Sequence, residues 1–252
     1  MFVLEIQSFL FILARVTAFI AVVPGFSHKS LPNTSKVALS IILSWAVYMN
    51  IAQTPVYEEP LLFMLAAVRE VIVGLAMGFT AKLVFSAVEM AGQLIDFQVG
   101  YSMGAIYDPN TGTTASYYGR LFYWMSIMVF FMLDLHHTLL LTLMESFGVA
   151  VAGQIGLAGL NLEAILYIFS YTFKIAFCIA APMLIVLLVT DIVMGLLSRT
   201  VPEINVFMLG MPLKALVGMV MFLILASSLM GTAGRTLGLT GEYIMKAIEM
   251  FR

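Results

Sequence analysis

Apolar residues gather in six blocks along the chain, at about 3–23, 37–54, 61–88, 120–151, 162–198 and 211–231. Helix breakers separate them. Pro24-Gly25 and Pro32 follow the first block, Pro55 and Pro60 bracket the next turn, and Asp108-Pro109-Asn110 marks a turn after the third. Gly153, Gly156 and Gly159 loosen the fourth connection, and Pro202 and Pro212 flank the fifth. Several blocks exceed the roughly 20 residues that a helix needs to cross a bilayer. The pattern predicts an all-α membrane protein of about six long apolar helices. With no tandem repeat or low-complexity tract, residues 1–252 read as a single domain.

One segment departs from the pattern. Residues 89–119, EMAGQLIDFQVGYSMGAIYDPNTGTTASYYG, are Gly-rich and half polar between two apolar blocks. Irregular backbone cannot face lipid, where its N–H and C=O groups would go unpaired. The segment must lie outside the bilayer, be buried in protein or line a water-filled path, which makes it the first candidate for function.

Composition narrows the class. The chain is 62% hydrophobic and 10% charged, with a mean hydropathy of +1.04. Ordinary globular domains carry roughly 25% charged residues, so too little charge is present to coat a water-facing surface. Lipid is the main solvent. The balance of 12 basic and 14 acidic residues gives no support for nucleic-acid binding. A single Cys178 excludes an internal disulfide framework or a cysteine metal site, and its apolar setting reads as a buried, inert thiol. The first apolar stretch lacks a basic leader and an A-x-A-like site before Pro24, so it is expected to stay as a helix.

Charge in the connections suggests an orientation. Lys29, Lys36, Arg120, Arg199 and Lys214 mark the odd connections, whereas the second carries only Glu58 and Glu59. The positive-inside rule then puts the odd connections in the cytoplasm and the N-terminus outside. The tail, with Arg235, Lys246 and Arg252, falls on the wrong side, so either it folds back or six spans is too simple a count. Blocks three and five, at about 28 and 37 residues, are long for single spans and could be tilted, broken or partly above the membrane. Arg15, Arg69, Glu70, Lys82, Asp134, Glu145, Lys174 and Asp191 interrupt apolar runs. Each would cost about 3 kcal/mol or more facing lipid at mid-bilayer. Neighbouring subunits are expected to shelter them.

Four constellations are candidates for function. Lys82, Ser86, Glu89, Gln93, Asp96 and Gly100 recur every three or four residues, a polar stripe on one helix face. It reads either as the lining of a hydrated path or as an interhelical polar seam. Gly74-x-x-x-Gly78 and Gly100-x-x-x-Gly104 permit close helix approach, within this chain or against other subunits. Ile106-Tyr107-Asp108-Pro109-Asn110-Thr111-Gly112 has the residues of a defined loop tip, yet Met103, Ile106, Tyr117 and Tyr118 flank it poorly for water. Asp134, Thr138, Thr142 and Glu145 form a second stripe beside His136-His137, either packed polar contacts or proton-handling groups. Adjacent histidines on a helix point about 100° apart, so no shared metal is expected. The 19 Met and 19 Phe suit a deformable core or surface. No nucleophile–base pair or phosphate loop is visible, so no enzyme and no cofactor are expected.

Several segments resemble the FliR family of flagellar biosynthesis proteins and its type III secretion counterparts. They are ARVTAFIAVVPGFSHKSLPNTSKVALS (14–40), REVIVGLAMGFTAKLVFSAVEMAGQLIDFQVGYSMGAIYDPNTG (69–112), FFMLDLHHTLLLTLMESF (130–147) and SRTVPEINVFMLGMPLKALVG (198–218). The resemblance implies a subunit of the flagellar export gate in the inner membrane and basal body. There one copy joins several copies of FliP and FliQ in a helical assembly, with FlhB associated and FlhA completing the gate. It implies a FliP-like half over 1–151, a FliQ-like helical hairpin over 162–234 and a tail over 235–252. By the same likeness the loop at about 106–116, centred on Asp108-Pro109 and Gly112, plugs the channel. The Val201-Pro202-Glu203-Ile204-Asn205 loop would lie near the cytoplasmic entrance. Exported, unfolded flagellar proteins would be the substrates. The rivals are a small-solute secondary transporter, which often shows inverted halves, an injectisome gate subunit, and a scaffold whose partners alone make the pore.

Overall fold

The computed structural model describes residues 2–28, 31–50, 55, 57–101, 116–155, 162–200 and 206–249. Among these every regular element is a helix: α1 (Phe2–Val22), α2 (Asn33–Tyr48), α3 (Pro60–Val99), α4 (Tyr117–Met132), α5 (Leu135–Val149), α6 (Leu162–Thr200), α7 (Val206–Gly238) and α8 (Thr240–Glu249). Four are long and apolar enough to cross a membrane, or up to five stretches if α4 and α5 form one broken span. The chain is an all-α membrane protein, with fewer than six candidate spans among the described residues. α2 explains part of the difference, because its 16 residues rise only about 24 Å against a hydrocarbon core of about 30 Å.

The long blocks stay unbroken. At 40 residues α3 is about 60 Å long, and it continues eleven residues past the expected end at 88. Polar residues spaced every three or four positions interrupt hydrophobicity without interrupting the helix. Pro182 and Pro212 both lie inside helices, α6 and α7, so Pro212 is not the boundary it was expected to be. By contrast, the block at 120–151 divides at Asp134, which sits at φ 53 in the left-handed region. Neither Gly nor Pro announces that break.

The chain forms two compact units, one of residues 1–84, 131–170 and 238–252, the other of 85–130 and 171–237. In the first unit α1 buries Phe11, Ile12, Val16 and Phe19 along one face. α3 comes close enough that a Cβ on Gly74 would strike the Arg15 carbonyl, and one on Gly78 would lie 3.0 Å from that of Phe19. This Gly-x-x-x-Gly pair therefore serves packing within the chain. Arg15 and Glu70, both fully buried, pair at 2.7 Å between Nε and Oε2. The guanidinium also donates to the carbonyls of Ser146 (3.3 Å) and Ala150 (2.8 Å) and lies 4.1 Å from the Phe147 ring centre. Glu70 Oε1 accepts the Gly153 N–H at 2.7 Å. Gly153 is required there: its φ is +81, and a Cβ would meet Phe11 at 3.2 Å.

α8 answers the question of the tail. It packs on α5 through Tyr243, Ile244, Ala247 and Ile248, with Gly241 against Thr142. Of the tail, Arg235 lies in the last turn of α7, Thr240–Glu249 packs on α5, and Arg252 lies outside the described residues. In the second unit α3, α4, α6 and α7 share a core of Val88, Ala91, Ile95, Val99, Tyr118, Phe122, Ile179, Ala180, Met183, Leu187, Leu229 and Ala233. Cys178, expected to be buried, is exposed on α6.

Candidate functional site

The 89–119 segment turns out to be two helix ends and the connection between them. Asp96, 3% exposed, faces the first turn of α4. Its Oδ1 accepts the Tyr118 N–H at 3.1 Å; Oδ2 accepts the Gly119 N–H at 3.2 Å and the Ser116 hydroxyl at 2.5 Å. Ser116 Oγ in turn accepts the Gly119 N–H at 3.0 Å. A helix start carries unpaired donors and partial positive charge, so a carboxylate there is doubly favoured. The helices can meet because residue 92 is Gly: a Cβ would lie 2.5 Å from the Tyr118 carbonyl carbon and 2.6 Å from the Gly119 nitrogen.

The other root is closed by geometry and stacking. α3 gives way to Gly100 at φ +99, whose N–H bonds the carbonyls of Asp96 (3.1 Å) and Phe97 (3.2 Å). The Tyr101 ring centre lies 5.3 Å from that of Tyr117 and 6.3 Å from that of Tyr118. The two helix ends that flank residues 102–115 are thus fastened to each other. The predicted tip, Ile106 to Gly112, and Gly104 lie outside the described residues, as do Val201, Pro202, Glu203 and Asn205.

Along the predicted stripe, Lys82 and Gln93 are exposed, Ser86 and Glu89 are half-buried, and only Asp96 is buried. Gln93 Nε2 reaches Glu89 Oε1 at a long 3.5 Å. Beside the stripe is a group that sequence reasoning did not assemble: Gln98 Nε2 donates to Asp191 Oδ2 at 2.9 Å, and Lys214 pairs with the other oxygen. A cleft of about 380 Å³ adjoins it, lined by Phe97, Met194 and Met211 among others. Asp191 was noticeable as a charge in an apolar run; Gln98, polar and two residues from Asp96, carried no such signal. Sheltering of charge by neighbouring subunits is corrected for Arg15 and Glu70, which this chain buries itself, and in part for Asp191, which it pairs with Lys214. Lys82, Glu145 and Lys174 remain exposed.

The histidine pair also departs from expectation. His136 and His137 lie in the first turn of α5 with ring centres 4.1 Å apart. Candidate ligand atoms of Asp134, His136 and His137 all fall within 4.8 Å of one another. The 100° separation of Cβ directions does not keep the ring nitrogens apart, because each side chain turns back toward Asp134.

Residues 6–239 match the family described as bacterial export proteins, family 1. The chain is 31% identical to the flagellar biosynthetic protein FliR of Bacillus subtilis over 247 residues, 96% of this chain and 95% of that one. It is 28% identical to the Escherichia coli protein of the same name, covering 82% and 79% of the two chains. It is 29% identical to the Yop proteins translocation protein T of Yersinia pestis, covering 96% and 95%. With the match extending across both compact units and both roots of the 102–115 connection, the chain belongs to family 1 of the bacterial export proteins, and within it to the FliR family.

Proposed function

We propose that this chain is a membrane-embedded subunit of the flagellar type III protein export gate. It forms part of a channel wall and, with the loop at about 106–116, a movable seal against unfolded substrate and ions. The single observation that carries the seal is the Asp96 clamp. Three hydrogen bonds accepted by one buried carboxylate tie the end of α3 to the start of α4. A seal that is displaced and returns needs roots that do not spread, and charge-assisted bonds of about 1.5–3 kcal/mol each supply that. The work is mechanical, in keeping with a protein-export family, and assigns no catalytic residue.

The proposed partners are FliP and FliQ in the gate core, with FlhB and FlhA, in the bacterial inner membrane and the flagellar basal body. Residues 1–151 would act as the FliP-like half and 162–234 as the FliQ-like hairpin. The Val201–Asn205 loop would stand near the cytoplasmic entrance, and the Lys82–Gln93 stripe would face a neighbour or a hydrated path. Exposed apolar side chains along α6 and α7, such as Ile185, Leu196, Leu223 and Ile224, supply the surface for lipid or subunits.

Deleting 106–116 should leave the gate assembled and make cells leak small ions. Unchanged permeability would count against a plug. Asp96→Asn keeps the shape and removes the charge, and should give a smaller leak by the same assay. The likeness to the Yersinia translocation protein favours an injectisome gate as second reading. Complementation separates them: the flagellar reading expects this chain to restore motility to a FliR-deficient strain and not secretion to one lacking the Yersinia counterpart.

A further inference from the structure

We propose that Asp134, His136 and His137 form a binding site for one borderline divalent transition-metal ion, of the class of Zn²⁺ or Ni²⁺, at the break between α4 and α5. The site is outside everything the export reading uses. Three observations point to it.

First, the donor set suits such an ion. Two imidazoles and one carboxylate is a combination that zinc and neighbouring metals favour, and that Mg²⁺ and Ca²⁺, which prefer all-oxygen shells, do not. Second, the geometry is convergent. Asp134 Oδ1 lies 4.0 Å from His136 Nε2 and 3.7 Å from His137 Nδ1. An ion bound at about 2.0–2.1 Å from each atom would span those gaps with only small side-chain movements. His137 and Asp134 are 67% and 74% exposed and free to make them.

Third, Asp134 forgoes its ordinary role. It stands at the N-cap of α5, where an aspartate normally accepts a backbone N–H of the first turn. Its side chain makes no cap bond and turns toward the imidazoles, on a backbone held at φ 53. The ion would tie the turn at 133–134 to the first turn of α5. Open coordination positions would fall to water or to a ligand from outside the chain.

The test uses the full chain in its detergent-extracted assembly, purified without a polyhistidine tag and stripped with chelator. Co²⁺, a spectroscopic stand-in for zinc, is titrated in. The expected result is one bound equivalent per chain with visible absorption bands, displaced by Zn²⁺, and lost in His137→Gln and in Asp134→Asn. His137 is exposed and Asn tolerates the left-handed region, so both variants should fold; retained assembly checks this. His28→Gln, a histidine elsewhere, should retain the bands. No binding above buffer, or binding that survives both His137→Gln and Asp134→Asn, would overturn the site.

Discussion

Two ion pairs, one in each compact unit, are built on opposite terms. Arg15 and Glu70 are fully buried, and the pair is wrapped by Ser146, Ala150, Gly153 and Phe147, so nearly every donor and acceptor is satisfied inside the chain. Asp191 and Lys214 stand 38% and 22% exposed on the edge of a cleft, with Gln98 as the one further hydrogen-bond partner described. Burial also differs between helices. Of the apolar stretch of α3, which runs through both units, 56% is buried, against 11% of the one within Leu209–Glu249. Lipid tails are as apolar as leucine, so nothing drives α7 to hide from them. The first arrangement completes itself, whereas the second presents a surface.

The largest effect that would test this contrast is expected from Arg15→Ala. It strands a buried carboxylate and two carbonyls, and loss of one partner of a buried pair costs about 3–5 kcal/mol. The chain should fail to accumulate in membranes, as read by immunoblot. Arg15→Leu with Glu70→Leu should recover part of the level, since the uncompensated charge is gone while the Ala150 carbonyl and Gly153 N–H still lack partners. A double variant no better than the single would mean the pair is not what the unit depends on.

Gly92→Ala should come next. Its methyl meets backbone, which cannot rotate away, and overpacking of this kind costs about 1–3 kcal/mol. A lowered thermal midpoint of the detergent-extracted assembly checks it, together with reduced motility. The smallest effect is expected from Asp191→Asn. A part-exposed pair contributes under about 1 kcal/mol, so stability in isolation should hardly move. If that variant destabilises the chain as much as Arg15→Ala does, the contrast between the two units collapses.

How much of this could be read from sequence depended on whether local pattern or tertiary contact decides the feature. The helices were legible because apolar length is local, and α3 and α7 outrun the blocks at 61–88 and 211–231 because a helix continues where its apolar run stops. The break at Asp134 was invisible because its left-handed backbone carries no glycine signal. Asp96 was singled out as one of a stripe, but its partners, Ser116, Tyr118 and Gly119, lie 20 or more residues away. A stripe gives direction along a helix; it does not say what stands opposite. The same limit applies to Arg15 and Glu70, whose 55-residue separation hides that each answers the other. Cys178 was misjudged because an apolar run around a residue signals burial only where water is the solvent.

Pro182, midway along α6, has one more implication. Having no amide hydrogen, it leaves the carbonyl oxygen of Cys178 without the rung that residue 182 would otherwise supply, near a thiol open to the outside. Within hydrocarbon such an oxygen invites any adjacent hydroxyl, amide or trapped water. It thereby marks a latent handhold on an otherwise greasy rod, where a companion helix bearing serine or threonine would find a reason to dock at one height and not another.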